Sequence, residues 1–218
     1  MKINQFLTTT NRTITSNKKN KWIVIHYTAN NGDTAKNNCN YFSKEYRGAS
    51  ANYFVDENEI WQCVEDKDIA WHVGAKTYYN DCRNNNSIGI ELCSRISPDG
   101  KYYFKEQTVN NAIELVKYLM QKYNIDINHV CRHYDVTHKI CPAPYVNNES
   151  AWKEFLIRLE DKPMTKEEQI NLIQEKAGLD NNTIQYLQFY RYGDALIEKL
   201  ANAIKSNVWE SFLNHFKI

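Results

Sequence analysis

Residues 87–93 read Ser-Ile-Gly-Ile-Glu-Leu-Cys, and the alternation within them decides how the first part of the chain folds. Ile88, Ile90 and Leu92 fall on one side of an extended strand, while Gly89 and Glu91 fall on the other. The stretch therefore predicts a half-buried strand whose carboxylate points away from the isoleucine face.

Upstream, Trp22 to Tyr27 (WIVIHY) is a short β-branched and aromatic run expected to form a buried strand, with His26 near its end. A helix is expected from Thr34 to Arg47. Asn52 to Asp56 and Ile60 to Val64 read as two strands joined by the polar turn at Glu57-Asn58-Glu59, a hairpin. Downstream, Val109, Ala112, Ile113, Val116, Leu119, Met120 and Tyr123 recur at helical spacing, which predicts a helix from Glu106 to Tyr123. Asn128 to Arg132 leads into His133, and Pro142 and Pro144 predict irregular backbone after Cys141, so His133 and Cys141 are expected on a loop. A helix from Ser150, its expected cap, to Leu159 closes a first domain spanning residues 1–160.

A second domain, residues 161–218, is expected to be small and all-α. Pro163 breaks the preceding pattern, and Thr165 with Glu168 has capping-box spacing. Gly178 can stop that helix, and Asp180 or Asn182 can cap another through Tyr190. The run from Asp194 to Lys205 places Leu196, Leu200, Ala203 and Ile204 on one side, and Val208, Trp209, Phe212, Leu213 and Phe216 form a further amphipathic patch. So few short helices bury little surface alone, so this part is expected to dock on a partner, a second copy or the first domain.

Composition narrows the partners. The 218 residues are 42% hydrophobic and 24% charged, as in folded soluble proteins, and the net charge is only +1. Basic and acidic residues number 20 and 18 up to Glu160, and 7 and 8 beyond it, so neither part attracts a polyanion and no nucleic acid is expected. No apolar run has signal-peptide or membrane-spanning length, which predicts synthesis in the cytoplasm without membrane insertion. Six cysteines in such a chain are expected to stay reduced.

Converging histidine and cysteine side chains suit a zinc hydrolase, which uses three protein ligands and leaves a position for water. Neither HExxH nor a CxxC pair is present. The donors must then be distant in sequence: His26 at its strand end, and the block Cys131-Arg-His-Tyr-Asp-Val-Thr-His-Lys-Ile-Cys-Pro. Taken by themselves these leave the sulfur ligand open between Cys131 and Cys141.

Four ordered blocks, WIVIHYTAN, SANYFVDENEIWQCVEDKDIAWHVG, NNSIGIELC and CRHYDVTHKICP, resemble the type 2 N-acetylmuramoyl-L-alanine amidases, which are related to phage lysozyme-type amidases and to peptidoglycan recognition proteins. The likeness covers about Lys21 to Leu159. It implies an α/β fold, a mixed central sheet flanked by helices, and zinc-dependent hydrolysis of the amide joining N-acetylmuramic acid to L-alanine in bacterial peptidoglycan. Position by position it makes His26, His133 and Cys141 the metal ligands, with Cys141 preferred over Cys131 because the family thiolate precedes the proline. Glu91 matches the general base or orienter of the attacking water, and Lys139 a basic residue that stabilises the developing oxyanion. Trp71 and His72 match a segment lining the substrate groove, and Asn30 and Asn52 lie in matching blocks as substrate contacts. One departure is Ala51, where some members carry a tyrosine that assists the zinc water, which leaves more of the proton transfer to Glu91. Asn52 likewise replaces the family's usual histidine. His129, His138 and His215 gain no support.

The resemblance, with no export signal in view, implies a phage or prophage endolysin that reaches the wall after holin-type release. The helical tail is expected to bind the cell wall or to form a homo-oligomer. A cytosolic muropeptide-recycling amidase and a non-catalytic peptidoglycan-binding module are the alternatives.

Overall fold

Period-two burial along the strands builds a sheet with two different faces. The computed structural model describes residues 1–160 and 165–205, and the chain divides into two compact units, 1–160 and 161–218. In the first, the strands are β1 (Ile3–Gln5), β2 (Trp22–Tyr27), β3 (Tyr53–Val55), β4 (Ile60–Gln62), β5 (Ser87–Leu92), β6 (Arg95–Ile96), β7 (Tyr102–Tyr103) and β8 (Val130–Arg132). Its helices are α1 (Ala35–Lys44), α2 (Glu106–Tyr123), α3 (His133–Thr137), α4 (Ala143–Val146) and α5 (Glu149–Leu159). Six strands form one mixed sheet in the order β1-β4-β3-β5-β2-β8, and β6 and β7 pair separately. Only the β3–β4 hairpin within the large sheet is antiparallel; the other pairs are parallel.

One face carries the main core. Ile23, Ile25, Tyr53, Val55, Ile88, Ile90 and Leu92 meet Val109, Ala112, Val116 and Leu119 of α2 and Trp152, Phe155 and Leu159 of α5. Burying each large side chain here contributes about 1.5–3 kcal/mol. On the other face, Phe54 packs with Ala35 and Cys39 of α1, and Val24 packs with Val73, Cys82, Cys131 and Val136. All six cysteines are buried free thiols. Among the described residues no helix is long and apolar enough to cross a membrane.

Several local expectations change. The first helix ends at Lys44 rather than Arg47, and Thr34 caps it by accepting a hydrogen bond from Asn37 N–H at 3.1 Å. Asn148, not Ser150, caps α5: its Oδ1 accepts from Ala151 N–H, and the Ser150 hydroxyl donates to the same oxygen. His133 opens a helix instead of lying on a loop, because Asp135 accepts from Arg132 N–H and from the Arg132 guanidinium, closing the first turn. The prolines after Cys141 admit α4, since Pro144 sits in a first turn where no N–H is needed.

The described part of the second unit holds α6 (Lys166–Ala177), α7 (Asn181–Phe189) and α8 (Gly193–Lys205). Thr165 and Glu168 form a reciprocal capping box, Gly178 ends α6 at a φ of +69°, and Asp180 caps α7. Ile173, Ile184, Ile197, Ala201 and Ile204 make its core. The buried stripe of α8 therefore runs through Ile197, Ala201 and Ile204, with Leu200 partly buried and Leu196 at its exposed edge. Asp161 to Met164 and the Val208, Trp209, Phe212, Leu213 and Phe216 patch, with His215, lie outside the described residues.

One buried carboxylate ties the hairpin to α2. Asp66 accepts hydrogen bonds from Tyr53 Oη (2.6 Å), Gln62 Nε2 (3.2 Å), Lys122 Nζ (3.0 Å) and Tyr123 Oη (2.7 Å). Its removal leaves the buried Tyr53 and Gln62 donors without their acceptor. Asp66→Ala is expected to lower the unfolding free energy by about 2–4 kcal/mol, and urea denaturation of the full chain beside Asp66→Asn checks it, with the isosteric variant losing less.

Candidate metal centre

Three neighbouring parallel strands end side by side, the usual place for a ligand in an α/β sheet. Their pairing sets His26 of β2 directly beside Glu91 of β5 on one face, and β8 delivers His133 as the next residue after its last. The chain then returns over α3. Tyr134 N–H donates to the Cys141 carbonyl at 2.8 Å, which pins the cysteine beside the start of that helix. Arg132 braces the return, donating to Asp135, to Glu149 Oε2 at 2.6 Å and to the Tyr145 carbonyl at 3.1 Å.

His26 Nδ1 lies 3.1 Å from His133 Nδ1 and 3.6 Å from Cys141 Sγ, and all three donor atoms fall within 4.8 Å of one another. A tetrahedral zinc centre with ordinary bond lengths separates two nitrogens by about 3.4 Å and nitrogen from sulfur by about 3.6 Å. The donor set therefore fits zinc in both type and spacing. Cys131, two residues from His133, lies instead in the apolar cluster around Val24 and Val136.

Electrostatics match this reading. Burial, then the neighbouring His133, His72 and Lys139, hold His26 well below the ordinary histidine range. Burial and Lys139 hold His133 down at about 4, so both rings are neutral and keep a lone pair at neutral pH. Burial and the Glu91 carboxylate push the Cys141 thiol up to about 12, against the Tyr27 N–H and Lys139. Only an added cation makes this sulfur a thiolate. Burial also raises Glu91 to about 8, with Lys139 opposing, and its Oε2 is enclosed without a protein hydrogen-bond partner. A carboxyl group with an unused oxygen beside the donor set can hold or release a proton near neutral pH.

Beside His133 opens a groove of about 660 Å³, lined by Trp71, His72, His133, Thr137 and Lys139 among others. Lys139 is exposed on it. Trp71 is half-buried, and its indole N–H donates to Thr13 Oγ1 at 3.0 Å, which holds the ring at the groove wall. Asn52 and Asn30 are placed differently, and His72 lines the groove with a ring that is buried. Asn52 is fully buried, with Nδ2 donating to the Val64 and Glu65 carbonyls and Oδ1 accepting from Gly89 N–H, so it serves the sheet and does not reach the groove. Asn30 accepts from Thr28 Oγ1 and donates to Asn38 Oδ1, and it does not line this groove. His72 is buried, and its ring hydrogen-bonds His26 and Ser87. Ser87 and Arg132 escaped the sequence reading, although Ser87 shares the Glu91 face by strand alternation.

A family model described as N-acetylmuramoyl-L-alanine amidase matches residues 16–144. Over 145 residues the chain is 37% identical to the N-acetylmuramoyl-L-alanine amidase CwlL of Bacillus licheniformis, covering 62% of this chain and 39% of that protein. A probable N-acetylmuramoyl-L-alanine amidase of the same species is 35% identical over 149 residues, covering 64% and 41%. The chain thus spans about two fifths of the length of these curated relatives. Among solved structures, that of PlyL superposes with a TM-score of 0.64 at 29% identity, covering 74% of this chain and 98% of that one. A mutant endolysin from Bacillus subtilis superposes with a TM-score of 0.61 at 29% identity, covering 73% and 99%.

The geometry predicts a specific ligand pattern. The full chain equilibrated with Zn²⁺ should hold close to one equivalent. His133→Ala and Cys141→Ser should each weaken binding by more than ~100-fold, beyond the ~10–100-fold typical of outer-shell changes. Cys131→Ser should bind as the wild type does. Competition with a chromophoric chelator measures all three.

Proposed function

Since the chain belongs to the N-acetylmuramoyl-L-alanine amidase family, we propose that it hydrolyses the amide between N-acetylmuramic acid and L-alanine in bacterial peptidoglycan, as a cell-wall-lytic enzyme of endolysin type. The observation that carries this reading is the convergence of His26, His133 and Cys141 beside Glu91, whose enclosed Oε2 has no protein hydrogen-bond partner, with His133 also lining a groove. His26, His133 and Cys141 would hold zinc, which would supply Lewis-acid chemistry and lower the pKa of an attacking water.

The chain's own residues do the rest. Glu91, in its ionised form, takes a proton from the attacking water and passes it to the leaving amine of L-alanine. Its free Oε2 is available for that transfer. Lys139, exposed on the groove beside His133, places positive charge where the amide oxygen becomes negative. Trp71 offers an indole face to sugar or peptide. Ala51, buried against α1, carries no proton-bearing group, so the proton transfer rests on Glu91.

For residues 161–218 we infer attachment to the wall. Tyr186, Phe189, Tyr190 and Tyr192 stand exposed within seven residues of chain, and aromatic faces with polar tips stack on sugar rings.

Digestion of purified peptidoglycan should release new free L-alanine amino ends, and chelator should abolish the release. Glu91→Gln should lower kcat by about 10²–10⁴ while zinc stoichiometry stays unchanged. New reducing sugar ends would overturn the amidase reading. For the tail, Tyr186→Ser with Phe189→Ser should reduce co-sedimentation of the full chain with insoluble walls without changing its sedimentation coefficient; a dimer that these changes dissociate would make the tail an oligomerisation element instead.

A further inference from the structure

A line of hydrogen bonds runs inward from the donor set and has a single consistent arrangement of protons. The Ser87 hydroxyl donates to the Arg83 carbonyl at 2.6 Å, and a carbonyl can only accept. Ser87 has then spent its one hydrogen, so the contact of 3.1 Å between its Oγ and His72 Nε2 must be a donation from His72. A neutral imidazole carries one N–H, which leaves His72 Nδ1 bare. The 3.0 Å contact between His72 Nδ1 and His26 Nε2 must therefore be a donation from His26. His26 in turn is left with a bare Nδ1, the atom that faces His133 Nδ1 and Cys141 Sγ.

The fold holds this line in place at each link. His72 N–H and Val73 N–H both donate to Asn84 Oδ1, at 3.0 and 2.8 Å, which fixes the backbone that carries the ring. The ring itself lies against β5 at Gly89, where a Cβ would stand 2.6 Å from His72 Cγ. Any side chain at that position would displace the ring. Ser87, Gly89 and Glu91 alternate onto one face of β5, so a single strand supplies the acceptor, the seat for the ring and the carboxylate.

We propose that Ser87, His72 and Gly89 form a positioning device that locks His26 as its Nε2–H tautomer and so presents a bare Nδ1 to zinc. This rests on the amidase reading only for the identity of the cation. His72 on this account acts through His26. Outer-shell partners of a ligating histidine typically change metal affinity by about 10–100-fold when removed.

The test uses ¹⁵N-labelled full chain freed of metal, with the ring tautomer of His26 read from long-range ¹H–¹⁵N spectra and Zn²⁺ affinity from chelator competition. Wild type should show His26 protonated at Nε2. Ser87→Ala frees His72 to change tautomer, so it should show mixed His26 tautomers and about 10-fold weaker Zn²⁺ binding. Gly89→Ala, which leaves every hydrogen-bonding group present, should weaken binding as well, and His72→Phe should do so by about 10–100-fold. His72→Asn, whose Oδ1 can stand in for Nδ1 as acceptor, should recover most of the affinity. Wild-type His26 protonated at Nδ1, or Ser87→Ala and His72→Phe chains that bind Zn²⁺ as tightly as wild type, would overturn the inference and leave the amidase reading standing. A wild-type chain that binds no Zn²⁺ would overturn both.

Discussion

The parallel pairing of β2 with β5 sets Trp22 against Ser87, Val24 against Gly89 and His26 against Glu91, and the functional face of the sheet depends on that register. A slip of one residue in either strand would turn its polar set into the α2 core and expose its isoleucines. The core therefore guards the site. Ile23, Ile25, Ile88, Ile90 and Leu92 bury themselves against α2 and α5, and their burial holds His26 and Glu91 side by side on the opposite face. The β8 pairing extends the same logic, because Val130 faces the core next to Ile23 and the strand's end then delivers His133.

Against that apolar support, the other face concentrates groups that fold at a cost. An enclosed carboxylate oxygen without a partner, two buried imidazoles with depressed basicity and a buried thiol with a raised pKa are each unfavourable in isolation. A divalent cation held by His26, His133 and Cys141 would relieve most of them together, ionising the thiol and taking up the imidazole lone pairs. Asp66 provides the contrast. It is also buried, yet Tyr53, Gln62, Lys122 and Tyr123 all donate to it, so it serves structure. Partnering, more than burial, separates the structural carboxylate from the one available for chemistry.

Where a signal is local, the sequence carries it well. The period-two run at Ser87, the helical spacing from Val109 to Tyr123, the β3–β4 hairpin and the capping box at Thr165 and Glu168 all correspond to elements of the structure. The ordered blocks also named the three donors that the fold brings together. Features made by distant pairing were not legible. β1 is polar and exists because Ile3 to Gln5 run beside Ile60 to Gln62, and the β6–β7 pair is only two residues long on each side. The helix at His133 depends on Arg132 and Asp135 acting against an expectation set by the nearby prolines. On α8 the pattern could not tell Leu196 from Ile197, because the facing residues of α6 and α7 choose which stripe is buried.

The placement of His72 shows most clearly what a motif leaves out. Its block marks the neighbourhood of the groove, yet its direction is decided by Gly89, 17 positions further along the chain, and by the carbonyl of Arg83 acting through Ser87. Read as a strand residue, Gly89 is a weakness, since it adds no packing and costs backbone entropy. Read beside the ring that lies on it, it is a requirement. The same strand must pack a helix with one face and seat a histidine with the other, and only alternation with glycine at the centre satisfies both. Glu91 then follows as the next residue on the seating face, beside His26 near the end of the strand. The spacing Ser-Ile-Gly-Ile-Glu is thus a solution to two packing problems at once, with the carboxylate carried to the site by the same geometry.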